Sequence, residues 1–259
     1  MGTKSLVCLL VSFSTAQAFL FAEKAGSESL PLLILQFHST RDLEAKERLL
    51  NVITTDFPGP GPALLQLAQT TTDVDTRWMA IRGIGTLKYE RAIPFLVESL
   101  RSEYPYVRAN SARALGDMKA HAAERALVAL LRGEQDGGVI EQTSLALWML
   151  GARDAVPVLK SKALHPSGQT RMWIFQAIGY LGTKDDVPFL AAHLYQEDPL
   201  ASMSAAQAIE RIMGVDFGFP KHEGPSSPEE GLKNARLWWA AHKLSWCQHR
   251  DKREPKSSV

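Results

Sequence analysis

The sequence has few cysteines, no excess of charge of either sign and no long apolar run. Its 259 residues include two cysteines, Cys8 and Cys247. Since Cys8 lies in a predicted N-terminal signal, no internal disulfide is expected in the mature chain. With 29 basic and 28 acidic residues the formal net charge is +1, which excludes a strong field that would recruit nucleic acid or an anionic membrane. The hydrophobic fraction of 45% suffices for a folded core.

The first 18 residues have the order of a secretory signal. Lys4 precedes an apolar run over residues 5–13, and Ala16 and Ala18 are small residues suited to a cleavage site after Ala18. The run is too short to cross a bilayer as a helix. We therefore predict a signal peptide over residues 1–18, no membrane span in the mature chain, and an exported protein, periplasmic or secreted. The alternatives are an apolar N-terminal helix that packs on the rest of the chain, or an uncleaved anchor.

The rest of the sequence repeats itself through segments that end near a glycine. The segments end at Gly85, Gly116, Gly151, Gly182 and Met213, at spacings of 31, 35, 31 and 31 residues. Each has an apolar residue directly before its end and a small or apolar residue three positions earlier, which is the stripe of a helix. Glycine is typical of the position just after a helix. The longer second interval, which leads to Gly151, predicts an insertion near residues 134–139, in a loop.

Another helix is predicted after each of these segments. Pro94, Pro157 and Pro188 occupy matching positions in its first turn, where a missing N–H is harmless. Short polar turns join the two helices of a unit. Because a single helix pair cannot bury its apolar face alone, such units stack into an array.

The units share an ending of the Ala-Leu-Gly type and the triplets Asp75-Thr76-Arg77 and Tyr106-Val107-Arg108. In these features the chain over residues 62–214 resembles bacterial HEAT repeats of the phycobilisome-lyase HEAT-like kind. This resemblance implies an all-α, right-handed α-solenoid of about five HEAT-like helix pairs, here placed over residues 28–214. It also implies that Arg77 and Arg108 are structural and bond acidic or carbonyl groups of an adjacent turn.

The C-terminal part departs from the repeat. Residues 215–246 are predicted to form a loop and a capping helix that shields the last unit. Ser227 is a good N-cap, Pro228 suits the first helical position, and Trp239 is interpreted as core of the cap. Residues 247–259 are predicted to be a disordered tail.

The sequence contains no local motif for catalysis or for a metal site. HEAT-like metal-dependent hydroxylases carry several His-Glu pairs, whereas this chain has one, His222-Glu223, which we interpret as part of a loop. Cys247 lies near the chain end and is not expected to act as a nucleophile. We therefore predict no catalytic residue, no metal, no cofactor and no enzyme. The alternative function is a lyase-like or metal-dependent enzyme or maturation factor built on HEAT repeats, and a third is a structural spacer.

A binding surface is predicted on the concave face of the array. Positions three and seven residues before each segment end form an exposed i, i+4 stripe. Its aromatic and arginine side chains are of the types enriched at interface hot spots, and they are Trp78, Arg82, Arg113, Trp148 and Phe175. The alternative for Trp148 and Phe175 is a place in the core. The main prediction is an exported, non-catalytic scaffold that binds a protein or peptide along this strip.

Overall fold

The computed structural model describes residues 29–219 and 227–251, with side chains described as far as Trp246 in the last helix. Every regular element within those ranges is an α-helix or a short 3-10 turn, so the predicted all-α solenoid class is confirmed. The predicted signal peptide, the His222-Glu223 pair and residues 252–259 lie outside the described residues. None of the described helices is long and apolar enough to cross a bilayer.

Thirteen α-helices lie within the described ranges. They are α1 (Leu30–Ser39), α2 (Leu43–Asp56), α3 (Gly61–Thr70), α4 (Val74–Thr86), α5 (Ile93–Ser99), α6 (Pro105–Asp117), α7 (Glu124–Gly133), α8 (Gly137–Leu150), α9 (Val156–Ser161), α10 (Gly168–Leu181), α11 (Val187–Ala192), α12 (Pro199–Met213) and α13 (Pro228–Asp251).

The chain forms two compact units that divide between Ala92 and Ile93. The described part of the first unit contains α1 to α4, and the second contains α5 to α13. Large apolar side chains from several helices are fully buried in the first unit, among them Phe37, Ile53 and Leu64. Burial of such side chains stabilises a helix pair by about 2 kcal/mol per residue, more than helix propensity supplies.

Each helix-pair repeat contains one longer helix, and these longer helices begin at regular intervals along the sequence. The N-cap residues of α4, α6, α8, α10 and α12 are Asp73, Tyr104, Asp136, Ser167 and Asp198. These positions are 31, 32, 31 and 31 residues apart. In all but Tyr104 the side chain accepts a hydrogen bond from a backbone N–H of the first turn. The predicted insertion near residues 134–139 is therefore wrong in size, since the second interval, from Tyr104 to Asp136, is longer by a single residue.

The glycines that end the repeated segments occupy two different structural positions. Gly151 is a left-handed helix cap with φ of 69°, as predicted. Gly85 and Gly116 instead lie inside α4 and α6, and the left-handed residues that follow these helices are Lys88 and Lys119. The prediction that these two glycines end their helices is wrong. When the repeats are aligned on these glycines, the third, fourth and fifth repeats are displaced by three residues relative to the first two.

Close contact between helices explains a glycine in the interior of α6. A Cβ atom on Gly116 would lie 2.8 Å from the backbone Cα of Ala146 in α8. The same contact recurs between α10 and α12, where a Cβ on Gly179 would lie 2.8 Å from the Cα of Ala208. Real Cβ atoms do not approach a backbone atom this closely, so both positions need glycine for the helices to pack.

The last helix, α13, packs on the end of the second unit. Gly231 lies directly against the ring of Phe219, and Asn234 donates a hydrogen bond of 3.0 Å to the carbonyl of Phe217. Trp239 is half-buried, with its ring 5.8 Å from that of Trp246. The helix continues to Asp251, beyond the predicted limit of the cap at residue 246.

Candidate functional site

The structure divides the predicted binding strip between the two units. Trp78 and Arg82 lie on α4 in the first unit, whereas Arg113, Trp148 and Phe175 lie on α6, α8 and α10 in the second. The part of the strip in each unit is therefore described with the neighbours of that unit.

Trp78 and Arg82 are both engaged by side chains of the first unit. The indole N–H of Trp78 donates to Asp75 at 3.0 Å, and the Arg82 guanidinium lies 5.5 Å from the centre of the Trp78 ring. Arg82 also pairs with Glu47 at 2.9 Å. Trp78 lines a shallow pocket of about 460 Å³, next to Leu43 and Glu47. These contacts orient Trp78 at the surface, beside the Arg82 guanidinium, whose charge is already paired with that of Glu47.

Phe175 does not belong to an exposed surface. Its side chain is fully buried, and its ring lies 4.9 Å from that of His193. The residues at the same position, eight after the N-cap of the longer helix in each of the other repeats, are all buried as well: Ile81, Ala112, Ser144 and Ala206. The prediction that Phe175 lies on the exposed strip is wrong, because the glycine alignment misplaced it by three residues, and the alternative of a place in the core is confirmed. Burial, followed by the charge of Arg171, lowers the pKa of His193.

Trp148 is half-buried and stacks on a residue that the sequence analysis missed. Its ring lies 4.1 Å from that of Tyr180, at an angle of 17° between the ring planes. The guanidinium of Arg211 lies 3.9 Å from the centre of the Tyr180 ring. We call Trp148, Tyr180 and Arg211 the aromatic ladder. The three residues stand 32 and 31 positions apart. The starts of α8, α10 and α12 are 31 residues apart, so this interval with an allowance of one residue could have revealed them.

The aromatic ladder presents planar groups at the surface of the second unit. Tyr180 is 45% exposed, and Arg211 is exposed as well. Arg211 also lines a shallow pocket of about 530 Å³ together with Gln207 and Glu210. Within the described ranges no carboxylate lies at ion-pair distance from Arg211. By contrast, the predicted binding residue Arg113 pairs with Asp117 on its own helix at 3.0 Å.

Arginines four residues after the N-cap join three of the five long helices, α4, α6 and α10, to the turn before each of them. They are Arg77, Arg108 and Arg171. Each donates a hydrogen bond to the carbonyl six residues earlier, which belongs to Thr71, Ser102 and His165 respectively. The structure thus places Arg77 and Arg108 in the surroundings expected of a structural role. Arg171 was missed because of the same shift of three residues.

Two of these arginines also bind a carboxylate of the next helix-pair repeat. Arg108 makes a bidentate contact with Glu134, which is 7% exposed, and Arg171 pairs with Asp198. Burial alone would raise the pKa of Glu134, but the hydrogen bonds from Arg108 and from the backbone N–H groups of Gln135 and Asp136 outweigh it and lower the pKa. These contacts hold successive helix-pair repeats in register.

A profile of the family described as HEAT repeats matches residues 61–148 and 124–210. Together these matches span more than half of the chain. The chain belongs to the HEAT-repeat family. Among curated proteins no significant match to this HEAT-repeat chain is found.

Solved structures resemble this HEAT-repeat protein in fold. A chain in the complex of CpcE and CpcF of phycocyanin lyase from Nostoc sp. is 21% identical, with a TM-score of 0.55 over 91% of this chain and 93% of that one. An engineered protein is 17% identical with a TM-score of 0.40, covering 84% and 89%. Human deoxyhypusine hydroxylase in complex with glycerol is 18% identical with a TM-score of 0.34, covering 83% and 96%.

The prediction that the protein is not an enzyme is wrong. It rested on the repeat fold and on the lack of local catalytic motifs. The phycocyanin lyase structure contains a chain of the same fold over nearly the same length. The HEAT-repeat architecture therefore gives no ground for separating this protein from enzymes and their components. Among the residues that the structure describes, no group of three or more His, Cys, Asp or Glu side chains is placed to hold a metal ion.

Proposed function

We propose that this chain is a HEAT-repeat component of a lyase-like enzyme or maturation complex, in which it binds a protein through the aromatic ladder. The observation that carries the proposal is the stack of Trp148, Tyr180 and Arg211 at the surface of α8, α10 and α12. The likeness in fold to the phycocyanin lyase complex supports the class of assembly, since that structure contains two different proteins, CpcE and CpcF.

The physical properties of the ladder favour protein binding. Tryptophan, tyrosine and arginine are the residues most enriched at interface hot spots. Stacking holds Tyr180 between Trp148 and Arg211, so a partner would order few additional side-chain torsions on binding. A guanidinium that lies on a ring keeps its N–H groups at the edge, where they are oriented to donate to a carboxylate or a carbonyl group.

The ladder variants test this proposal. Replacement of Trp148 and Tyr180 by alanine removes the stack, and we expect at least a tenfold loss of affinity for the partner, or about 1.4 kcal/mol. The tagged chain is used to capture partners from the source cell, and the affinity of each captured protein is then measured by calorimetry. Tyr104→Ala, which removes an exposed tyrosine from the start of α6, is the matched control. Unchanged affinity in the double variant would contradict the proposal.

The lyase-like role has its own readout. We expect the intact mass of the captured partner to differ between cells that contain the chain and cells that lack it, because a lyase or maturation factor leaves a covalent change on its product. Restoration of the mass by the wild-type chain, but not by the ladder double variant, would join the two parts of the proposal. Identical masses in both cells would oppose the lyase-like role.

We also propose that the chain is exported. The order of Lys4, an apolar run and the pair Ala16 and Ala18 supports this proposal. We expect the protein purified from its source cell to begin at Phe19, as measured by intact mass and N-terminal sequencing. Replacement of Ala18 by arginine removes the small residue before the cleavage point, so the uncut chain should accumulate. A wild-type chain that retains residues 1–18 would contradict cleavage.

A further inference from the structure

His193 is a titratable side chain that is buried in the turn between α11 and α12. The residue is 8% exposed and lies directly after the last residue of α11. Its ring packs against two phenylalanine rings, Phe175 of α10 and Phe189 of α11, with ring centres 4.9 Å away in each case. Among the described residues, its hydrogen-bond partner is the side-chain amide of Gln196. The imidazole therefore lies in a mostly apolar environment that suits its neutral form.

The charged groups of the helices around His193 supply no counter-charge for a protonated ring. Arg171 of α10 pairs with Asp198, and Lys160 of α9 pairs with Asp186. Within the described ranges, no carboxylate lies at ion-pair distance from the His193 ring. Burial and then the positive charge of Arg171 lower the pKa of His193 from its ordinary value of 6.5.

The last helix is attached to the two residues that directly follow His193. Arg236 of α13 donates a hydrogen bond of 2.9 Å to the carbonyl of Leu194, and its guanidinium lies 5.3 Å from the centre of the Tyr195 ring. Arg236 thus adds a further cation on this side of the turn. Glu197, which belongs to the same turn, is exposed and forms no ion pair with a described residue.

We propose that His193 is a pH-sensitive latch for the last helix, in which protonation of the ring loosens the turn after α11 and detaches α13. A protonated imidazole is a buried cation beside other cations, and both of its ring nitrogens must donate a hydrogen bond. Entry of water into the turn relieves both costs. It also moves Leu194 and Tyr195 away from Arg236, so α13 loses its attachment there. This device goes beyond the proposed function and does not depend on the aromatic ladder.

Hydrogen exchange at two pH values tests the latch. The full chain is labelled at about pH 7.5 and at about pH 5.5, on either side of the ordinary titration range of histidine. The exchange of each helix is then corrected for the intrinsic pH dependence of amide exchange. We expect α11 and α13 to exchange at least about threefold faster at the lower pH, because an opening that takes up a proton becomes more favourable as the pH falls. Helices α1 to α4 should show no such acceleration.

Substitutions of single histidines assign the response to His193. His193→Gln should remove it, because glutamine stays neutral and keeps a polar group beside Gln196. His193→Met, which has no titratable group and fills a similar space, should give the same result and serves as the test if the glutamine variant does not fold. His121→Gln is the matched control, since the His121 side chain is 66% exposed, and it should retain the full response.

Arg236→Met tests the connection between His193 and the last helix. The substitution removes the hydrogen bond to the Leu194 carbonyl. We therefore expect α13 to exchange rapidly at both pH values, while α11 keeps its response to pH. Protection of α13 equal to that of wild type in this variant would contradict the proposed route from the turn to the helix.

Three results of the exchange experiment would overturn the inference. The first is equal protection of α13 at the two pH values in the wild-type chain. The second is a pH response that persists in both His193 variants. The third is an equal acceleration of all the described helices at the lower pH, which would indicate a general loss of stability in acid and no local latch.

Discussion

Asp73→Asn is expected to lower the free energy of unfolding by about 3 kcal/mol, the lower end of the range for breaking a buried ion pair. The Lys46 ammonium is 2% exposed and pairs with the Asp73 carboxylate at 2.7 Å. Its remaining neighbours are the Thr76 hydroxyl and the Phe37 ring, whose centre is 5.6 Å away. Without the carboxylate, a cation would be left in the core of the first unit with no counter-charge. The Asp73 side chain is itself 46% exposed, which keeps the expected effect at the lower end.

The choice of asparagine isolates the charge from the helix cap. Asp73 is the N-cap of α4 and accepts a hydrogen bond of 3.0 Å from the N–H of Thr76, a role that asparagine performs equally well. Asp136→Asn is the matched control, because Asp136 caps α8 in the same way and has no ion pair with a described residue. Chemical denaturation should show a change of less than about 0.5 kcal/mol for the control. Equal effects of the two substitutions would contradict the role of Lys46.

The same pair predicts how stability depends on pH. Partial burial alone would raise the pKa of Asp73, but hydrogen bonds from Lys46 and Thr76 outweigh it and lower the pKa from 3.8 to about 2. Because the folded pKa lies below the unfolded one, the contribution of Asp73 is fully present above pH 3.8 and is lost as the pH falls toward 2. The difference in unfolding free energy between wild type and Asp73→Asn should therefore shrink over that interval. A constant difference would argue against the ion pair.

Gly116→Ala and Gly179→Ala are each expected to destabilise the second unit by about 2 kcal/mol. The added Cβ would lie 2.8 Å from a backbone Cα of the neighbouring helix, Ala146 in one case and Ala208 in the other. A backbone atom cannot rotate away as a side chain can, so the helices must separate, at a cost of about 1 to 3 kcal/mol. A contact with a backbone atom puts the cost at the upper end of this range, and the higher helix propensity of alanine offsets about 1 kcal/mol of it, which leaves about 2 kcal/mol.

Gly133→Ala provides the matched control for these substitutions. Gly133 is also helical, at the end of α7, but a Cβ there would meet no atom within 4 Å. We expect this variant to be as stable as wild type or slightly more stable, because only the propensity gain applies. Denaturant melts of the three single variants and of the double variant Gly116→Ala with Gly179→Ala measure the effects, which should add to about 4 kcal/mol. A stabilising effect at Gly116 would show that α6 and α8 do not pack this closely.

The fold class could be predicted from sequence because the signals for a pair of helices come from residues that are close together in the chain. Apolar stripes, prolines in first turns and polar turns each depend on neighbours within a few positions. The error lay in the choice of register. Glycine ends a helix at Gly151 but lies within the helix at Gly116, and the two positions have the same local sequence pattern. The N-caps, which are spaced almost evenly, would have been the better anchors.

The sequence by itself determined that this protein is an array of helix pairs with a nearly regular interval and a distinct last helix. Only the tertiary structure decided which side chains reach the surface. Phe175 and Trp148 share aromatic character, yet Phe175 is fully buried while Trp148 stacks on Tyr180. Lys46 has a charged side chain and would be expected at the surface, yet it is buried beside Asp73. The physical reason is that exposure depends on which neighbouring helix covers a given face, and that is set by packing between units rather than by the periodicity of any one helix.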